Sequence, residues 1–455
     1  MSTPKPQDGG VITPVSGTPN LLLGAYDPAT LGYGAEEFFV SGSAESYASD
    51  DTADYTTRIV VLQPLDRTAF NGTVIVEWLN VSGGLDAPAV WSMAHREIAR
   101  SGYAYVGVSA QQVGIEGGTS LVGMDMSLKT QNPERYSQLH HPGDEYSYDI
   151  YTQVGRLIRG GAIDGLGPET VLAVGESQSA VFLTTYINVV DPEAATYDGF
   201  LVHSRFGNTA PLDGVNVFEE HESTMAPVPF RSDPRVPVLA FITETDLLGG
   251  FRVGYHAVRQ PDSDLLRTWE LAGAAHADNY TIIGSFMDSG SAPLADLAAT
   301  YAPTNELMGE KLSYHINFGP QHHYVLQAAV AHLNNWVRTG KPAPAAAPIT
   351  LTGSDPVSPE LDDNGLAKGG VRTPWVDVPT ARLSGLAPNE SLMSFIFGSG
   401  EVFDADTLAR LYPGGKADYL ERFAVALDQT IEAGFILAAD RAEILELAAA
   451  TFPGG

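Results

Sequence analysis

Apolar positions along the chain follow two alternating periods. Short runs at 73–79, 103–109, 171–174, 198–203, 236–242 and 265–272 are rich in apolar and β-branched residues, the pattern of largely buried strands. Between them apolar residues recur at helical spacing. Val90, Met93, Ala94 and Ile98 mark a helix over 87–100. Tyr148, Ile150, Tyr151, Val154, Leu157 and Ile158 mark one over 145–159. A third begins after Ser179, and a long one over 324–337 is closed by Gly340 and Pro342. Two runs at 37–47 and 55–63, joined by an acidic turn at 49–54, predict an antiparallel pair at the start. Strands alternating with helices predict an α/β fold: a mostly parallel central sheet with helices on both faces.

The segments that lack a period complete the outline. Residues 1–35 are rich in Gly, Pro, Thr and Asn and read as an irregular N-terminal arm. The main domain spans 36–340 and carries insertions at 110–144, 204–234 and 280–318, long enough to form a lid or cap. Residues 341–455 read as a C-terminal extension packed on that domain. Its Pro- and Gly-rich first part, 341–390, gives way to a helical pattern over 404–450. No internal repeat is present.

Charge changes the picture of partners. The 455 residues include 25 Lys plus Arg against 55 Asp plus Glu, a net charge of −30. A surface this acidic repels nucleic acid and anionic membranes, and it favours solubility. The chain has no Cys, which excludes disulfides and thiolate chemistry. It opens without an apolar leader and holds no apolar run of the roughly 18 residues a spanning helix needs. The expectation is a soluble protein, cytoplasmic by default, with secretion as the alternative.

The chemistry centres on Gly175-Glu176-Ser177-Gln178-Ser179. An apolar strand leads in and a helix leads out, so Ser177 stands at the apex of a tight turn, the context of a nucleophile elbow. Such a turn tolerates only small residues two places before and after the Ser. Gly175 meets this, and Ser179 replaces the more common Gly. The following helix aims its N-terminus at Ser177, and the backbone N–H of Gln178 becomes one oxyanion donor. The second donor is expected from the loop after the strand 73–79, at Asn80, Val81 or Ser82, where Gly83-Gly84 permits a tight turn.

A Ser hydroxyl needs a base, and the base needs a carboxylate to orient it. In a sheet with this elbow both follow in chain order, each past the end of a strand. Thr243-Glu244-Thr245-Asp246 follows the strand 236–242, so Asp246 is the expected acid and Glu244 the alternative. Gly273-Ala274-Ala275-His276 follows the strand 265–272, which makes His276 the expected base. Glu176, His203, Arg205, His322 and His323 are candidates for the walls of a substrate pocket. The pairs His140-His141 and His322-His323 are not accompanied by His-Glu-x-x-His or a carboxylate cluster, so no metal is expected. No Gly-x-Gly-x-x-Gly or P-loop pattern occurs, and no cofactor is expected.

With these residues in view the chain resembles the bacterial proteins grouped as "alpha/beta hydrolase domain", an esterase-like family. The resemblance rests on the stretches 76–84, 175–179, 243–246 and 269–278. It continues with Gly319-Pro320, Trp336-Val337 and 369–374, nearly the whole length. It implies an α/β-hydrolase fold with a Ser-His-acid triad on Ser177, His276 and Asp246, and it supplies no substrate. The expected function is a serine carboxylic ester hydrolase acting on a small or medium ester through an acyl-enzyme on Ser177. The alternatives are an acyltransferase using the same triad, or a non-catalytic binding protein on a hydrolase fold.

Overall fold

The computed structural model describes residues 10–218, 222–354, 356–388 and 395–453. Nine strands form the central sheet: β1 (Val11–Val15), β2 (Tyr33–Glu45), β3 (Thr52–Pro64), β4 (Thr73–Trp78), β5 (Ala104–Val108), β6 (Thr170–Glu176), β7 (Gly199–His203), β8 (Val238–Thr243) and β9 (Leu266–Leu271). Their spatial order is β1-β2-β3-β5-β4-β6-β7-β8-β9. The first three pairings, from β1 to β5, are antiparallel. Every pairing from β5 onward is parallel. The parallel block brings the carboxyl ends of β4, β6, β7, β8 and β9 to one edge, where ligands bind in open α/β sheets.

Residues 11–15 correct the reading of an irregular arm: they form edge strand β1, paired with 37–41. Pro14 and the exposed Val11 obscure the period of a strand that is buried on one side at most.

Side-chain alternation along β4 assigns the two faces. Glu77 points to helix α1 (Ala89–Arg100), where its carboxylate accepts from the N–H groups of Val90 (2.7 Å) and Trp91 (3.0 Å) and from the Tyr105 hydroxyl (2.7 Å). A fully buried carboxylate in a strand is thus the cap for the first turn of α1. Burial pushes its pKa up to about 8, against these bonds. Trp78 points the other way, into a ring cluster with Tyr148 and Tyr151 of α2 (Ser147–Arg159) and Phe182 of α3 (Gln178–Thr185). A long helix, α4 (Gln321–Thr339), lies beside α1.

The C-terminal residues contact the sheet directly. Val371 bonds to β9 as a parallel bridge, donating to Glu270 O (2.7 Å) and accepting from Ala272 N–H (3.1 Å), which covers the open edge. Glu443, on α5 (Arg441–Thr451), pairs with Arg96 of α1 (2.6 Å) and accepts from Tyr324 of α4 (2.6 Å). No helix is long and apolar enough to cross a membrane among the described residues.

Candidate active site

The elbow is built as tightly as its sequence demands. Ser177 holds φ 56° and ψ −118°, a strained conformation for a residue with a Cβ. Its N–H donates to His203 O on the neighbouring strand (2.9 Å), which fixes the turn against β7. A Cβ on Gly175 would come to 3.1 Å from Ser179 O, so the small residue at that place is needed. Ser179 uses its departure from Gly: its hydroxyl donates to Glu176 O (2.8 Å) and accepts from Glu176 N–H (3.0 Å), closing the loop on itself.

His276 Nε2 lies 2.9 Å from Ser177 Oγ, and Nδ1 lies 2.5 Å from Asp246 Oδ1. The ring stacks on Phe206 at 5.5 Å between centroids. Asp246 divides its oxygens. Oδ2 accepts from the N–H (2.9 Å) and hydroxyl (2.7 Å) of Thr243, a capping box on the one-turn helix that follows β8, while Oδ1 is left to the imidazole. Burial opposes a charged His276, but Asp246 and then Glu176 outweigh it and hold the pKa up at about 9.

Glu244, the alternative acid, is turned away from His276. Oε1 accepts from Gly273 N–H (2.6 Å); Oε2 accepts from Gly385 N–H (2.8 Å) and the Ser384 hydroxyl (3.2 Å). It ties the acid turn to the His loop and to the C-terminal extension. Thr245 does the same from the other side: its hydroxyl accepts from His276 N–H (3.1 Å) and donates to Gly385 O (2.7 Å). Sequence reasoning passed over Thr243, Thr245, Gly385 and Phe206. Only the Thr243-x-x-Asp246 spacing carried a signal, that of a capping box.

Three N–H groups were candidates for the second oxyanion donor, and the loop uses two of them elsewhere. Asn80 N–H donates to Ala87 O (3.0 Å), and Ser82 N–H donates to the Asn80 side chain (2.7 Å). Val81 N–H has only a long contact, 3.5 Å, to Gln178 Oε1. Gln178 opens α3, so its own N–H lacks an intrahelical acceptor. The Asn80 amide pins the loop to the elbow by donating to Glu176 O (3.1 Å) and Glu176 Oε2 (3.0 Å). Glu176 Oε1 then stands 3.4 Å from His276 Nε2. Burial first, then the nearby Asp246, raises the Glu176 pKa to about 7, against the pull of His276.

Glu176, His203, His276 and His322 line one cavity of about 160 Å³, walled otherwise by residues such as Leu22, Met93 and Phe286. Leu22 comes from the N-terminal arm and Phe286 from the third insertion, and Ala25 N–H joins the two segments by donating to Phe286 O (2.7 Å). The first insertion packs elsewhere, around Ile115, Leu128, Tyr136 and Leu139 against Phe39. Two pocket candidates lie outside this cavity's lining. Arg205 is fully buried with its guanidinium donating to the carbonyls of Phe206 (2.8 Å), Gly207 (3.2 Å) and Val228 (2.7 Å), a staple for the second insertion. His323 bonds to the Tyr301 hydroxyl (2.8 Å) and stacks on Tyr280 at 3.8 Å. Neither residue type announces in sequence which way it turns. Among the described residues no three His, Asp or Glu side chains are grouped to hold a metal ion.

The sequence matches the family described as alpha/beta hydrolase domain over residues 3–446. Similar solved structures include an a/b serine hydrolase from Xanthomonas campestris, 12% identical, covering 51% of this chain and 83% of that one, with a TM-score of 0.28. An esterase from Rhizomucor miehei is 11% identical, with coverage of 67% and 86% and a TM-score of 0.30. An esterase from Pyrococcus furiosus is 8% identical, with coverage of 55% and 86% and a TM-score of 0.29. No curated protein sequence matches.

Proposed function

We propose that this chain, which belongs to the alpha/beta hydrolase domain family, is a serine carboxylic ester hydrolase. The observation that carries the reading is the unbroken relay from Ser177 Oγ through His276 to Asp246, at 2.9 and 2.5 Å. Asp246 holds the proton of neutral His276 on Nδ1, so the Nε2 lone pair faces the Ser177 hydroxyl. Ser177 attacks the ester carbonyl as Nε2 takes its proton. The resulting imidazolium faces Asp246 on one side and Glu176 on the other. The oxyanion is received by the N–H groups of Gln178 and Val81, the latter giving up its long contact to the Gln178 side chain. His276 returns the proton to the leaving alcohol, and water, deprotonated by the same imidazole, clears the acyl-enzyme.

The test is labelling with a fluorophosphonate and mapping of the adduct by mass spectrometry. Labelling at Ser177 that is lost in Ser177→Ala and slowed at least 100-fold in His276→Ala is expected. Folded protein that stays unlabelled at Ser177 overturns the reading.

A further inference from the structure

The loop that bears Val81 is anchored on both sides of that residue. Its ends pair with each other: Asn80 N–H donates to Ala87 O (3.0 Å) and Ala87 N–H donates to Asn80 O (2.8 Å). The Asn80 amide ties it to the elbow through Glu176. The first insertion holds its outer rim, where Leu121 N–H donates to Ser82 O (3.0 Å) and Met126 N–H to Gly84 O (2.9 Å). Gly84 has φ 75°, and a Cβ there would lie 1.9 Å from Met124 O, so loop and insertion meet backbone to backbone.

The last anchor is ionic. Asp86 Oδ2 accepts from the Arg58 guanidinium (2.5 Å) and from the Ser109 hydroxyl (2.5 Å), and that hydroxyl accepts in turn from Arg58 Nε (2.8 Å). The Arg58 and Asp86 side chains are 0% and 2% exposed. Arg58 stands on β3, Ser109 follows β5, and Ser109 N–H donates to Arg58 O (3.0 Å), so the latch is mounted on the sheet itself. Asp86 Oδ1 faces Gly114 of the first insertion, where a Cβ would come to 2.0 Å. Apolar side chains of similar volume would stabilise a buried position at least as well. What a buried ion pair adds is one geometry, since any displacement leaves two charges unpaired. A loop with a single geometry matters where a donor must meet a charge that exists only in the transition state. We propose that Asp86, Arg58 and Ser109 are positioning residues for the reaction: their latch fixes the loop so that Val81 N–H meets the oxyanion. This inference rests on the ester-hydrolase reading and on Val81 as the donor.

The experiment compares kcat/KM for 4-nitrophenyl butyrate and for its thiono analogue, in which sulfur replaces the carbonyl oxygen, each divided by its rate with hydroxide. Sulfur is larger and a poorer acceptor, so a fixed pair of N–H donors favours the oxygen ester, by roughly tenfold or more. The ratio does not depend on how much of the protein is folded, so loss of active protein alone leaves it unchanged. In Asp86→Ala the ratio should fall by about tenfold, with kcat for the oxygen ester lowered more than KM is raised. Arg58 keeps Glu37 at 3.5 Å as a counter-charge in that variant. Asp86→Asn, which retains an acceptor, restores part of the ratio. Should Asp86→Ala not fold, Ser109→Ala, which leaves the ion pair in place, gives a smaller fall in the same direction. Fluorophosphonate labelling runs alongside. An unlabelled Ser177 overturns the hydrolase reading. A labelled Ser177 with no preference for the oxygen ester, or with a preference that every folded variant keeps, overturns this inference alone.

Discussion

Two carboxylates approach His276, from opposite surroundings. At the end of β8 the acid turn is saturated: Asp246 is shared between Thr243 and the imidazole, and Glu244 receives three donors. At the ends of β6 and β7 the bonding is incomplete. Glu176 stands 3.4 Å from His276 Nε2, and its neighbour in register, His203, carries an unpartnered nitrogen. Saturation makes a group stay where it is, which suits a residue that orients a base. Incomplete bonding leaves a group responsive to substrate and to pH. The site divides the two tasks between adjoining strand ends.

The largest test of that division is Asp246→Asn, which keeps shape and removes charge. A loss of about 10⁴-fold in kcat is expected, measured by steady-state kinetics at pH 8. A loss under tenfold would put the acid elsewhere. Gly385→Ala comes next: the added Cβ would lie 2.4 Å from Glu244 Cβ and 2.5 Å from Thr245 N, so the acid turn must shift. A drop in kcat of about 10- to 100-fold is expected, because a small misplacement of the relay is costly. Glu244→Gln weakens the same brace without touching the imidazole. Its kcat should change less than tenfold, while calorimetry shows the unfolding midpoint lowered by a few degrees, from lost charge-assisted bonds of about 1–3 kcal/mol. A Glu244→Gln loss matching that of Asp246→Asn would erase the contrast between brace and acid.

The smallest effect concerns the open side. Only neutral His276 accepts the Ser177 proton, so kcat/KM rises with pH through the His276 pKa, held up at about 9. Glu176, itself at about 7, is anionic where that limb lies, and its charge favours the imidazolium. Glu176→Gln removes the charge. The limb should therefore move to lower pH by about one unit, read from kcat/KM between pH 6 and 10. A limb that stays in place or moves upward would show that Glu176 does not act on His276.

The elbow was legible because its rules are local: a buried strand, Gly175, and small Ser179 within five residues. The order of Ser177, Asp246 and His276 was legible because strand ends could be located from apolar runs. The choice between Asp246 and Glu244 needed more, since both sit in one short turn and what separates them is a donor from Gly385, 141 positions from Glu244. The proposed second oxyanion donor was equally hidden: Val81 is distinguished only by what Asn80 and Ser82 spend their N–H groups on. Arg205 misled because a guanidinium beside a strand end reads the same whether it faces a substrate or backbone carbonyls. Strand β1 was missed because one-sided burial and Pro14 blur its period.

The clamp of Ser384 and Gly385 on Glu244 and Thr245 has a bearing on synthesis order. Translation delivers Ser177, Asp246 and His276 first, and the segment that braces the turn at Asp246 more than a hundred residues later. A nascent chain passes through a long interval in which the relay residues exist without their brace. The contacts that hold the acid turn therefore form only once the chain has been made past Gly385. A truncated product ending before Ser384 would carry all three relay side chains and still lack the contacts that hold the acid turn in register with the imidazole.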